Sequence, residues 1–297
     1  AMPMSKPWPK RKKFLVLGLC LLAALFTLPY AVPSVGDYLN TLVNQWRLEQ
    51  IYHAGEESAS AGESSSSAPQ GGDGQLPMQE KFRELYSANQ DLVGWITIGD
   101  EDLSQPVLQT TDNDYYLTHD FYQAENTNGS IYMDYRNTPY PLDYDTILYG
   151  HNTRLGMFVV LENYRELEYL QANPIIQFDN LYEDGEYVIF SVFLAATREE
   201  HGEIFNYINR LGLQTDEEKA GYLQELRDHS LFDAAIDVQP GDQLLTLSTC
   251  VYDFSDARLG IVARKLRPGE TAEDFAGAYT VNSDPVMPQV WEALYGD

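Results

Sequence analysis

The sequence predicts a mainly β fold, a barrel or sandwich of about eight short strands with a few helices, set behind one membrane-crossing segment. Three observations carry this reading. Between residues 91 and 266, short runs rich in β-branched and aromatic residues alternate with Gly, Asn, Asp and Pro clusters. Helical spacing of apolar residues is confined to a few isolated segments. One uncharged apolar run stands near the N-terminus.

That run, "FLVLGLCLLAALFTLPYAV" (14–32), has nineteen uncharged residues. At about 1.5 Å per residue it crosses most of a hydrocarbon core of roughly 30 Å. The basic stretch 1–13 before it, with Lys6, Lys10, Arg11, Lys12 and Lys13, favours a cytoplasmic N-terminus and an extracellular body. A cleaved signal peptide is the competing reading, with Ser34 and Gly36 as small residues near a cleavage site, but the apolar stretch is longer than a usual signal core. Lipidation at Cys20 is disfavoured by the bulky Leu19 before it. The sequence therefore predicts a retained single-pass anchor.

Residues 33–77 read as a juxtamembrane helix followed by a linker. "DYLNTLVNQWRLEQIYHA" (37–54) places Leu39, Leu42, Val43 and Trp46 on one helical face. "GEESASAGESSSSAPQGGDGQ" (55–75) is Ser/Gly/Glu-rich and lacks apolar period, the composition of a solvated linker. The folded domain is expected over 78–267. It opens with a short helix in "QEKFRELYSANQ". Strands follow in "DLVGWITIGD", "LSQPVLQT", "GSIYMDYRN", "DTILYGHN", "PIIQFDN", "GEYVIFSVFLAAT", "DQLLTLSTCVY" and "RLGIVARKL". Before the last two, "TDEEKAGYLQELRDHSLF" (215–232) has Tyr222, Leu223 and Leu226 at helical spacing, with Thr215 and Glu218 as a capping box. Residues 268–297 form a C-terminal extension, expected to be a short helix packing on the barrel rather than covering a cleft.

The whole chain carries a formal charge of −26 from 19 basic and 45 acidic residues. Five basic residues precede the first acid, Asp37, so the body beyond residue 36 stands at −31, with 14 basic residues against 45 acidic. Such a body repels nucleic acid and anionic lipid, and solubility accounts for most of the acid. No His/Asp/Glu cluster shows ligand spacing, so neither a metal nor any other cofactor is expected.

Of the two cysteines, only Cys250 lies outside the apolar run, so the ectodomain has no partner for an internal disulfide. Cys250 closes the apolar run "LLTLSTC". There it serves either as a small core residue or as a thiol fixed rigidly at a cleft. A thiolate nucleophile needs a base and an oxyanion partner. His151 is the candidate base, because it alone among five histidines directly follows a buried-looking strand end, at the turn Gly150–Asn152. His53, His201 and His229 have polar, exposed-looking surroundings, and His119 sits among aromatic residues as structural histidines do. Arg258 opens the last strand, as a solvated charge or as an oxyanion partner. The order His, Cys, Arg with the cysteine on a strand does not fit a papain-like protease, and the caspase signature is missing.

"TLSTC" followed by "ARLGIVARK" resembles the active-site signature of sortases, the membrane-anchored transpeptidases of Gram-positive bacteria. With "DLVGWITI", "QPVLQTTDNDYYLTHDF", "GSIYMDYRN" and "ILYGHN" in the same order, residues 80–267 resemble class B sortases in particular. The resemblance implies an eight-stranded β-barrel with Cys250 as nucleophile, His151 as general acid/base and Arg258 as oxyanion partner. It also implies cleavage of a C-terminal sorting motif after Thr, often of NPxTx type, through a thioacyl enzyme. An amine then resolves that enzyme, from a cell-wall precursor or a pilin lysine. Ser248 and Thr249 are either substrate-groove contacts or strand packing. Many class B members carry an acid soon after the cysteine; here Val251 and Tyr252 intervene and Asp253 comes third, as a candidate for an orienting role. The partners implied are a sorting-motif protein, an amine acceptor and the membrane, with no nucleic acid. A hydrolytic cysteine protease and a surface-displayed binding barrel without activity are the rival readings.

Overall fold

A computed structural model describes residues 38–59, 76–99, 102–153 and 156–296. The expected anchor at 14–32 and its basic flank lie outside the described residues. Among those described, no helix is long and apolar enough to cross a membrane. The chain divides into two units, Ala1–Trp46 and Arg47–Asp297. In the first, residues 38–46 are helical.

The helix expected over 37–54, α1, spans 38–59 and so takes in the first residues read as linker. Its part within the second unit belongs to the folded body, ahead of the expected start at 78. Leu48 and Tyr52 are buried with Phe82, Leu85, Trp95 and Leu108. The Tyr52 ring stacks on Trp95 with centroids 4.3 Å apart, and its hydroxyl donates to Asp179 at 2.8 Å. Lys81 donates to the same carboxylate at 2.7 Å and to Asp184 at 2.8 Å. Gly55 permits the close approach, since a Cβ there would fall 2.5 Å from the Lys81 backbone. A linker-like composition failed as a guide because this contact is tertiary.

All eight predicted strand segments form strands of one closed barrel. They are β1 (Leu92–Ile98), β2 (Leu103–Leu108), β3 (Ile131–Met133), β4 (Asp145–Tyr149), β5 (Ile175–Asn180), β6 (Glu186–Ala195), β8 (Leu244–Val251) and β9 (Ala257–Lys265). Their order round the barrel is β1-β2-β3-β4-β8-β9-β6-β5. The pairs β2/β3 and β4/β8 are parallel, and the remaining barrel pairs are antiparallel. The interior is filled by Ile96, Val107, Leu148, Leu247 and Ile261, all fully buried. Gly260 is required on β9, because a Cβ would meet the Phe193 ring at 2.3 Å.

The short helix before β1 is a 3-10 turn (Glu80–Phe82) running into α2 (Arg83–Ala88). A longer 3-10 segment (Phe158–Arg165) and α3 (Leu167–Ala172) connect β4 to β5. The helix before the cysteine strand, α4, spans Asp216–His229 and has the expected capping box between Thr215 and Glu218. Its buried stripe is Tyr222, Leu223 and Leu226. The pattern 215–232 overran its end because Phe232 opens β7 (Phe232–Ala234). β7 pairs with β10 (Tyr279–Val281) of the C-terminal extension. The extension ends in α5 (Gln289–Tyr295), and Met287, Val290 and Trp291 pack against the core. The extension thus packs on the folded body, with a strand added to the expected helix.

Candidate active site

β4 and β8 run side by side with Tyr149 opposite Ser248. Beyond that pair, the Thr249 hydroxyl donates to the Gly150 carbonyl at 2.8 Å. This bond fixes the turn carrying His151 to the strand end carrying Cys250. On the other side of β8, Cys250 faces Arg258 of β9 in register. The three predicted residues are therefore brought together from three strand ends. They line one open cleft of about 620 Å³, walled also by Tyr132, Tyr149, Ile204 and Tyr207.

Cys250 is a half-buried free thiol. His151 has Nε2 2.8 Å from the Leu117 carbonyl oxygen. A carbonyl only accepts, so in the neutral ring Nε2 carries the proton and Nδ1 is left without one. Arg258 makes one weak contact, Nη1 to the Ala257 carbonyl at 3.3 Å. Among the described residues no carboxylate pairs with it, which leaves its donors free for an anionic oxygen. Burial pushes Tyr207 up to about 12 and Tyr132 higher still. Both phenols stay neutral hydroxyls beside the thiol and guanidinium.

Ser248 and Thr249 border the cleft but are only 3% and 2% exposed. The Ser248 hydroxyl is bonded to Tyr207 at 2.7 Å, and that of Thr249 to Gly150. Their hydroxyls hold the cleft walls together, and both residues also line the cleft. Asp253 does not reach the histidine: its carboxylate takes two bonds from Arg165, at 2.8 and 3.1 Å. His151 is oriented by a backbone carbonyl instead. His201, expected to be exposed, is 9% exposed, edge-on to Phe254 and 3.2 Å from the Ser255 hydroxyl. Its polar neighbours in sequence do not reveal that tertiary cover. His119 stacks on Tyr115, in keeping with a structural role.

Sequence reasoning missed the group that shapes the far wall. Buried Asp134 accepts from Arg136 Nη2 (2.7 Å), Tyr149 (2.9 Å) and Asn113 (3.1 Å). Burial raises its carboxyl, but the Arg136 hydrogen bonds outweigh this and hold it below the ordinary range. Arg136 also donates to the Ile208 carbonyl at 2.9 Å and to Asn209 at 2.7 Å, fastening the lip of the cleft. The only sequence signal was the Asp-x-Arg spacing in "MDYRN".

No family model matches the chain. Sortase B of Listeria monocytogenes is 36% identical over 187 residues, covering 62% of this chain and 73% of that protein. The chain belongs to the class B sortases. Two solved structures agree. A Staphylococcus aureus sortase B–substrate complex superposes with a TM-score of 0.64 at 30% identity, over 76% of this chain and 96% of that one. A sortase B complexed with triglycine gives a TM-score of 0.64 at 29% identity, over 76% and 97%. The eight-stranded barrel described above is thus the sortase barrel, and the chain is a cysteine transpeptidase of the kind that anchors proteins to the cell wall.

Proposed function

We propose that Cys250, His151 and Arg258 are the nucleophile, general acid/base and oxyanion partner of a sorting reaction. The single observation carrying this is their convergence on one open cleft from the ends of β8, β4 and β9. The thiol proton passes to His151 Nδ1, and the Cys250 sulfur bonds to the carbonyl carbon of the motif threonine. The carbonyl oxygen becomes an oxyanion held by the Arg258 guanidinium. Collapse breaks the peptide bond, and the leaving amine takes its proton from His151. A thioacyl enzyme remains. An acceptor amine then attacks it, gives a proton to His151, and expels the Cys250 thiolate as the new amide forms. The substrate-bound and triglycine-bound relatives support a peptide donor and an amine acceptor. That acceptor is a cell-wall precursor or a pilin lysine.

The apolar run 14–32 is proposed to hold the enzyme in the membrane with its catalytic domain outside the cell, on sequence grounds alone. Deleting it should release the enzyme from the membrane fraction; a chain that stays there is anchored by other means. An internally quenched peptide of NPxTx type, assayed with and without triglycine, tests the chemistry. Cys250→Ala should abolish cleavage. His151→Ala and Arg258→Ala should fold normally and lose about 100-fold or more in kcat/KM. Cleavage persisting in Cys250→Ala sinks the assignment, and products that never contain triglycine make the enzyme a hydrolase.

A further inference from the structure

The turn joining β8 to β9 has Cys250 at its entrance and Arg258 at its exit. It follows the paired residues Val251 and Ala257 directly, so how it is anchored bears on the placement of both Cys250 and Arg258. Asp256 in this turn has φ +56°, a left-handed conformation that a non-glycine residue keeps only where its surroundings impose it. Those surroundings are specific bonds. The Thr197 hydroxyl donates to the Asp256 carbonyl at 2.8 Å, and Arg198 pairs with its carboxylate. The Tyr295 hydroxyl of α5 donates to the Asp253 carbonyl at 2.9 Å. Arg165 grips the Asp253 carboxylate with both terminal nitrogens.

Arg165 differs from the other three in reaching a second loop. It contacts Glu162 at 3.3 Å, and Glu162 accepts from Asn152 Nδ2 at 2.7 Å. Asn152 directly follows His151. One guanidinium thus bridges the loop carrying the imidazole and the turn carrying the thiol and the oxyanion partner. The Arg165 and Asp253 side chains are only 27% and 13% exposed, so water screens the pair weakly. Arg165 does not line the cleft.

We infer that Arg165 is a positioning residue: through Asp253 on one side and Glu162–Asn152 on the other, it holds Cys250, Arg258 and His151 in catalytic register, and Tyr295 of the C-terminal extension steadies the same turn. This rests on the roles proposed above for those three residues. A bidentate arginine–carboxylate pair fixes angle as well as distance, which a lysine does not. Misplacement of reacting groups by about 1 Å costs on the order of 100-fold in rate.

The test uses the full chain, with parallel Arg165→Met, Arg165→Lys and Tyr295→Phe variants. The measurements are kcat and KM with the quenched NPxTx-type peptide and triglycine, thermal midpoints, and the pH dependence of Cys250 alkylation by iodoacetamide, read on the Cys250 peptide by mass spectrometry. Arg165→Met should lower kcat about 10- to 100-fold with KM within about threefold, and displace the alkylation midpoint. Arg165→Lys should recover part of the loss. Tyr295→Phe, which removes one hydroxyl from an exposed residue, should lower kcat about two- to fivefold. A purely structural role would lower the thermal midpoint and leave kcat per folded molecule and the alkylation profile unchanged; that result overturns the inference. Should Arg165→Met fail to fold, unchanged kcat and alkylation in both other variants overturn it equally. Cys250→Ala run alongside separates the two levels, because activity surviving there removes the proposed function itself rather than the role of Arg165.

Discussion

β4 and β8 lie parallel from Asp145 opposite Leu244 to Tyr149 opposite Ser248, and the two ends of this pair have opposite surroundings. At one end Asp145 is fully buried, with Thr246 donating to it at 2.8 Å and Tyr222 at 3.4 Å. Burial pushes its carboxyl up to about 7, against the two hydrogen bonds that pull it down. At the other end Cys250 and His151 are half-buried and face an open cleft. A displaced pKa is often taken as the mark of a functional residue. Here a strongly displaced carboxyl sits at the sealed end, where no substrate atom reaches it. Access, more than perturbation, separates chemistry from structure along these two strands.

The largest expected effect breaks the sealed end. Asp145 has a folded pKa raised above its unfolded value near 3.8, so its folded form holds the proton more tightly. Stability is therefore greatest below the unfolded value and falls as pH rises from about 4 to about 7, then levels off. Asp145→Asn does not titrate. In urea unfolding it should match the parent near pH 4 and exceed it at pH 8 by up to about 4 kcal/mol, with peptide cleavage unchanged. An identical decline in both proteins would remove the sealed carboxyl from the comparison. A smaller effect sharpens the same point. Thr246→Val removes a donor that lowers the Asp145 pKa, so the decline should extend to higher pH, with a further cost of about 1–3 kcal/mol. A decline ending at lower pH contradicts the assigned bond.

The contrast between the two ends was only half legible in the sequence. Strand segments were readable because each is a short apolar run closed by turn residues, and all eight barrel strands follow from that pattern. The convergence of Cys250, His151 and Arg258 was anticipated from strand-end positions and family motifs. What escaped was everything fixed by contacts between distant segments. The burial of Tyr52 against Trp95, the bonds of Asp134 to Tyr149 and of Arg136 to Ile208, and the Arg165 bridge each join residues far apart in the chain. β7 and β10 escaped because, unlike the equally short but wholly buried β3, each buries only its first residue, Phe232 or Tyr279, and so shows no apolar run. Asp253 shows the same gap: its place after the cysteine suggested an orienting role, and only the fold shows that Arg165 takes its carboxylate.

The smallest expected effect lies at the open end. Tyr207 bonds the buried Ser248 hydroxyl at 2.7 Å, two residues before Cys250, and its ring walls the cleft. Tyr207→Phe keeps the ring and its edge contacts with Phe193 at 5.0 Å, so packing should survive. The lost bond should lower stability by about 1 kcal/mol. Ser248 would then no longer be tied to the 207–209 lip, although Arg136 still holds that lip through Ile208 and Asn209. The variant should therefore bind the peptide more loosely, raising KM a few-fold with kcat and Cys250 alkylation unchanged. A fall in kcat of more than tenfold at constant KM would place the Tyr207 hydroxyl at the reacting centre. The open end would then depend on a buried phenol as well as on the three groups that face the cleft, and access would no longer separate the two ends of the strand pair.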